Sequence, residues 1–527
     1  MPLDLDNLPA APHLVPVFKP TLAGVDFLNL RQVNLDLMGE CIPGTNNATK
    51  RVRAYSVISW VYWIYPKLLE NLGRTEASSE ELILFREKVE SLFVWSHQLA
   101  GISGMPGISA KVPPMQNGRV DLRFTAWNRS RTNTSLEAAV HYGASLLDLG
   151  GLGILRKIGT GIYVCNPTGQ KLAKAFDDQL RQCSEYGFLT DLSLLDGTEQ
   201  QADSLLPFWR FEETSPAEVE AFQSILWNPE HVGENSTRGR RAGMIELLLK
   251  LLSSKNTPMG IDEIRLHLAL PALWHEEPLP NGMLRQSRSW LVLQLRQLQR
   301  FALESLMSWV ESRLLSGMHQ TPDELVRKAW IEYCDFMEVE SGVLTCDVLE
   351  HINPPFKNLP SFQKQVGNDP DWFSPWDLCS QLSEAVAEDA GSLLPTAFYS
   401  LLFLKQCQPF LETDELLSCH LERGGSARVS LAQWFRVVER LANRPCLELL
   451  DWTLKTLVIS QHFAVGTQRF DGEKIRLRMI LDEDGLETLV TSPWKPGPTP
   501  DRLATLLSLL QSCGVVMQEK DECYRLL

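Results

Sequence analysis

Arginine and lysine form the most visible clusters of chemically useful residues in this chain. Arg123, Arg129 and Arg131 lie close together, with Trp127, Asn128 and Asn133 among them, and Arg156 and Lys157 follow shortly after. Arg238, Arg240 and Arg241 form a second group. Lys50, Arg51 and Arg53 precede a Tyr/Trp-rich stretch, and Arg476 and Arg478 alternate with Ile475, Leu477 and Met479. Such cations near a helix start or hairpin tip can neutralise phosphates, while a hairpin lies in a minor groove. The eight residues from Arg123 to Arg241 in the first two groups are the candidate DNA contacts. The competing reading is a solvated surface whose charges pair with one another.

Other residue types give less. Gly150-Gly151-Leu152-Gly153 and Gly159-Thr160-Gly161 lack both the GxxxxGK[ST] and the GxGxxG fingerprint, so turn roles are expected. The ten histidines include His267 and His275, near Glu276-Glu277, and His420, beside Cys419 and near Glu422. None has HExxH or CxxC spacing, so no metal is expected. Two-metal cleavage chemistry needs several converging oxygens. Asp369-Pro370-Asp371 is the one suggestive acidic pair, and Asp471-Gly472-Glu473-Lys474 has the spacing of a turn. No reaction and no cofactor is assigned.

The elements that must position these residues read as helices with small β-hairpins. Val57, Ile58, Val61, Ile64 and Leu68 recur at helical spacing, widened by Trp60, Tyr62 and Trp63, as expected of a core or subunit interface rather than a base-stacking platform. A second helix is predicted over 79–99, with Ser78, Ser79, Glu80 and Glu81 suited to its start. Residues 136–147 read as a helix. A hairpin over 154–164 and a helix with Leu172, Ala173 and Phe176 follow, which is how a winged-helix unit ends. Two fainter echoes lie elsewhere. Residues 241–252 and 260–268 have a helix–turn–helix cadence, and 502–511 precedes two short strands about a charged turn. A long amphipathic helix is predicted over 284–315, a strand with one basic face over 475–481, and a hairpin turn at Asp482-Glu483-Asp484-Gly485.

Composition bounds these readings. The chain has 527 residues, 44% hydrophobic and 22% charged, enough apolar material for three or four domains of ordinary size. Its punctuation suggests five segments: a helical domain over 1–118, a winged-helix-like module over 119–200, a helix–turn–helix-like module over 201–283, a helical domain over 284–450, and a hairpin with a winged-helix-like module over 451–527. The fold class expected is mainly α with small β-hairpins. A net charge of −15 argues against a large DNA footprint but allows a local basic patch. Eleven cysteines without paired spacing suit reduced thiols in the cytoplasm, and no segment has the pattern of a secretion signal or membrane span.

Ala138-Ala139-Val140-His141-Tyr142-Gly143-Ala144-Ser145-Leu146 with the following wing and helix, and the stretch from Gln461-His462 to Pro500-Asp501-Arg502-Leu503, resemble uncharacterised bacterial proteins of restriction and anti-phage clusters. That resemblance implies a defence-associated accessory protein and carries no functional residue across. The expectation is therefore a non-enzymatic component of a bacterial defence or genome-maintenance complex, with protein subunits as partners and double-stranded DNA as a candidate second partner. The alternatives are an SMC-associated, kleisin-like scaffold without DNA affinity, and an atypical nuclease acting through Asp369 and Asp371.

Overall fold

A computed structural model describes residues 26–74, 76–159, 162–227, 236–317, 320–352, 356–368, 374–388, 390–470 and 476–527. It is mainly helical, 59% helix and 8% strand, and its strands form small antiparallel sheets of two or three, in line with the expected class. No described helix is long and apolar enough to cross a membrane. The chain divides into two compact units, one comprising Met1–Asn34 with Gln294–Thr499, the other Leu35–Leu293 with Pro500–Leu527.

The expected five-segment division is therefore replaced by two discontinuous units. Its cut at 283/284 falls inside the helix Asn281–Ser316. Its cut at 450/451 falls inside a continuous helical run, Cys446–Trp452, then a π-helical stretch Thr453–Ser460, then Gln461–Gln468. Changes in residue pattern along a chain do not reveal which distant segments share a core.

Nine strands are described: β1 Val120–Asp121, β2 Leu155–Gly159, β3 Ile162–Cys165, β4 Asp196–Gly197, β5 Met259–Gly260, β6 Met479–Asp482, β7 Gly485–Thr488, β8 Val516–Gln518 and β9 Cys523–Leu526. In the unit built from 35–293 and 500–527, the helix Val52–Asn71 is buried along most of its length. Its Tyr/Trp run is core. The Trp60 indole donates to Asp177 at 2.8 Å, and its ring meets Phe176 edge-on. Phe176 belongs to the helix Pro167–Leu180, where Leu172 and Ala173 are also buried, as their spacing predicts. The helix Ser79–Leu99 starts where expected, with the Ser78 side chain accepting from the Glu81 N–H and Glu80 and Glu81 in its first turn.

The predicted helix over 136–147 is the main local departure. Only Gly143–Leu146 is helical. Glu90, buried on the Ser79–Leu99 helix, accepts from the Ser135 hydroxyl and the Leu136 N–H, both at 2.8 Å. The backbone then folds back, with Tyr142 N–H on Leu136 O and Gly143 N–H on Ala138 O. A buried carboxylate needs donors, and it draws them from a segment whose own pattern favours helix.

The two fainter modules prove to be one. The helices Thr237–Ser253 and Ile261–Ala269 flank β5, and the helix Leu503–Ser512 leads into β8 and β9. The three strands form one antiparallel sheet in the order β5-β9-β8, with Met259 opposite Tyr524 and Val516 opposite Leu526. Asp501 pairs with Arg265 at 2.6 Å across the same junction.

In the other unit, the helix Pro322–Met337 opens on a capping box between Thr321 and Glu324. Tyr333 meets Phe398 of the buried helix Leu393–Gln406 edge-on, and the Trp434 indole donates to Leu401 O. The β6–β7 hairpin turns at Asp482 and Gly485 as predicted. The basic face expected over 475–481 does not exist as such: the strand begins at Met479, and Arg478 is buried in a two-pronged pair with Glu311. Residues 471–475 lie outside the described residues.

His462 is fully buried beside that pair, its Nε2 accepting from the Arg478 N–H at 2.9 Å and its Nδ1 facing Phe27 O at 3.4 Å. Burial, with Arg478 nearby, pushes its pKa down to about 4. The unfolded chain then takes up the proton first, so stability is full above about pH 6.5 and falls as pH drops toward 4, by roughly 3 kcal/mol at the limit. Urea unfolding at neutral pH and near pH 4.5 is expected to show a smaller loss in His462→Gln than in the parent. An equal loss in both would remove His462 as its source.

Candidate functional site

The first arginine group is held by carboxylates. Glu87 and Glu90 are buried on the Ser79–Leu99 helix. Arg129 has no exposed side chain; it pairs with Glu90 at 3.3 Å, donates to Thr134 O at 2.8 Å, and lies 4.2 Å over the Phe124 ring. Arg131 donates through Nε to Glu87 at 2.7 Å, and Glu87 also accepts from the Phe124 N–H. Arg123 is clasped by Asp121, with Nη2 2.6 Å from Oδ2. Arg86 adds a pair with Glu137 at 2.7 Å. This network orders the irregular segment 119–142. Arg129 cannot reach a phosphate, which corrects the expectation for it, while Arg123 and Arg131 keep about half of their side chains in solvent and are paired there with Asp121 and Glu87.

The second group does a different internal job. The buried Arg241 donates to Ile225 O at 3.1 Å, Leu226 O at 2.6 Å and Pro43 O at 3.0 Å, and burial pushes its pKa down to about 10. Arg238 donates to Ser224 O. Ser224, Ile225 and Leu226 are the last residues of the helix Pro216–Leu226, whose terminal carbonyls have no partner within the helix. A cation there is favoured by both hydrogen bonding and the helix dipole. Arg238 and Arg241 are helix caps, which corrects their assignment as DNA contacts. Arg240 alone of the three points elsewhere: it is half-buried and lines a cleft with Arg502.

Arg156 and Lys157 are the two candidates on an open surface. They and Ile158 are consecutive and exposed on β2, so both faces of that strand meet solvent. The partner strand β3 packs on the Val52–Asn71 helix, with Tyr163 edge-on to Tyr62 at 5.4 Å. Neither cation forms an ion pair among the described residues. The Thr160-Gly161 turn at the hairpin tip lies outside them. The structure thus separates the eight residues into internal braces (Arg129, Arg238 and Arg241), two half-exposed arginines paired with carboxylates (Arg123 and Arg131), one cleft residue and one exposed pair.

Among the described residues no group of three or more His, Cys, Asp or Glu could hold a metal ion. His267 is bonded to Glu263 O, and His275 stacks on Trp274. Asp369 and Asp371 lie outside the described residues. All eleven cysteines are free thiols. No protein-family model, curated protein or solved structure matches the chain.

Sequence reading missed Arg502, which lines the same cleft as Arg240 from a distant part of the chain. The available signal was local: Pro500-Asp501 leading into a helix, with Arg502 at its start in the left-handed region, φ 68°.

The brace assignment separates stability from binding. Arg241→Met is expected to destabilise its unit by about 3 kcal/mol, since three buried carbonyls lose their donor. Arg156→Ala with Lys157→Ala should stay within about 0.5 kcal/mol of the parent. Denaturant midpoints check both, and a neutral Arg241→Met would sink the cap assignment.

Proposed function

We propose that the chain is a non-enzymatic, cytoplasmic subunit of a bacterial defence or genome-maintenance complex. In this reading its interrupted winged helix docks protein, and the β2–β3 hairpin makes a weak contact with DNA backbone. The element order helix, β5, helix, then helix, β8, β9, with the sheet order β5-β9-β8, is what supports a winged helix, one into which residues 270–502 are inserted. The resemblance of residues 138–146 to proteins of anti-phage clusters supports the setting.

One observation carries the choice of protein over DNA as the ligand of this module. A DNA-reading helix of this kind enters the major groove with polar and basic side chains. Here the helix in that place, LATLLSLLQS, has no charged residue, and six of its ten residues are buried. The turn that would be the wing reads Glu519-Lys520-Asp521-Glu522, a net −2, and Arg525 beside it pairs with Glu519. Duplex DNA carries one negative charge per ~1.7 Å, so this face repels it. The second reading, a kleisin-like scaffold with no DNA affinity, is favoured by the overall charge of −15.

An anisotropy titration of labelled duplex across a salt series separates the two. Contact through Arg156 and Lys157 alone should give a log–log slope of about −2 and vanish in the Arg156→Ala/Lys157→Ala variant. No binding at low salt would favour the scaffold. A slope steeper than about −4 that survives the double substitution would mean a footprint elsewhere and overturn both.

A further inference from the structure

A cleft of about 440 Å³ in the unit formed by 35–293 and 500–527 is lined by Asp36, Glu40, Thr45, Asn46, Arg240 and Arg502, among others. Most of its polar groups are committed to the protein. Thr45 donates to Ile42 O, and Asn46 donates to His141 O and accepts from the Ala48 N–H. Ser145, also on the wall, donates to Gly44 O and bonds Tyr55. Asp36 and Glu40 have interactions of their own. The two guanidiniums differ. The Arg240 side chain has no hydrogen-bond or ion-pair partner among the described residues, and its Nε is buried without one. Among the described residues Arg502 has one long side-chain contact, Nη1 to Ile42 O at 3.4 Å, and no carboxylate partner.

One wall of the cleft, at Gly44, is tightly packed from behind. Gly44, at φ 85°, passes so close to Gly151 and Arg241 that a Cβ would lie 2.7 Å from the Arg241 guanidinium and 2.8 Å from Gly151 O. A Cβ on Gly151 would lie 2.4 Å from Leu147 O. Backbone on backbone forms this wall, with Arg241 fixed behind it as a third cation whose partners among the described residues are carbonyls. Arg502 enters from a left-handed residue at the start of its helix, a conformation that costs about 1 kcal/mol or more and persists where surroundings hold it.

We propose that this cleft binds a small molecule bearing a single oxyanion group, phosphate or carboxylate, through Arg240 and Arg502. Guanidinium donors match both groups, and such charge-assisted bonds are the strong ones. Asp36 and Glu40 in the same cleft disfavour polyanions, so duplex DNA is not its ligand and the site is independent of the hairpin contact proposed above.

Isothermal titration of the full chain with inorganic phosphate, and separately with acetate, tests this. Saturable one-to-one binding of either is expected, the tighter of the two naming the group. Arg240→Gln and Arg502→Gln should each weaken it roughly 10- to 100-fold, while Arg156→Ala/Lys157→Ala leaves it unchanged. Circular dichroism and melting check each variant. Should Arg502→Gln not fold, Arg240→Gln carries the test, since its guanidinium braces no other group among the described residues. Absence of saturable binding of both anions, or binding that Arg240→Gln leaves intact, overturns the proposal. Neither result bears on the protein-docking reading.

Discussion

Two rungs of backbone pairing, Met259 with Tyr524 and Gly260 with Cys523, join strands about 260 residues apart in the chain. Closing so long an unstructured loop costs about 5 kcal/mol beyond a constant, and two short rungs could not offset that alone. The closure is shared. Val516 to Gln518 pair on the other side of β9, Asp501 binds Arg265, and the 261–269 helix packs on the 503–512 helix. The intervening chain folds largely as a unit of its own, so the effective loop is much shorter than its residue count. Each half of the module alone would expose one side of a three-stranded sheet and the apolar faces of its helices.

This constraint explains what could be read from the sequence and what could not. Signals that depend on near neighbours held. Ser78 with Glu80 and Glu81 started a helix, the alternation about Gly159 made a hairpin, and Asp482 to Gly485 made a turn. Both halves of the interrupted module were also legible as helix–turn–helix and helix–strand–strand. Their union was not, because nothing within 237–269 names the residues of 503–526 that complete its sheet. The same limit hid the cleft: Arg240 was visible as a cation and Arg502 as part of a helix lead-in, but their shared space depends on the β5–β9 closure.

Arg129, Arg241 and Arg478 failed as surface markers for a related reason. Acidic residues outnumber Lys and Arg, 65 to 50, so a cation buried by folding readily finds a carboxylate or a helix end. Arg129 with Glu90, and Arg478 with Glu311, are pairs whose members are widely separated along the chain. Among the described residues Arg241 has no acid partner and instead binds three carbonyls, two of them at the end of the helix Pro216–Leu226. A local run of basic residues specifies charge but not direction. Burial of the partner decides whether that charge faces water, and the partner is the part that sequence proximity does not supply. Glu90 is the clearest case, because its need for donors also abolished a helix that local pattern favoured over 136–147.

The point where the chain re-enters the interrupted module has a further physical meaning. Three consecutive residues there are each committed: Pro500 O accepts from Asn47, Asp501 pairs with Arg265, and Arg502 turns through a left-handed conformation into the cleft. Arg240, which also lines the cleft, lies in the first half of the module, before the insertion. A ligand that engages both arginines therefore bridges the two halves and binds only when they are assembled. By mass action such a ligand stabilises the assembled module by RT ln(1 + [L]/Kd), about 2.7 kcal/mol at a hundredfold excess over Kd. That energy is comparable to the ion pairs and backbone rungs that hold the closure. Occupancy of the cleft would thus act on the integrity of the interrupted module itself, through the same β5–β9 junction on which the module depends.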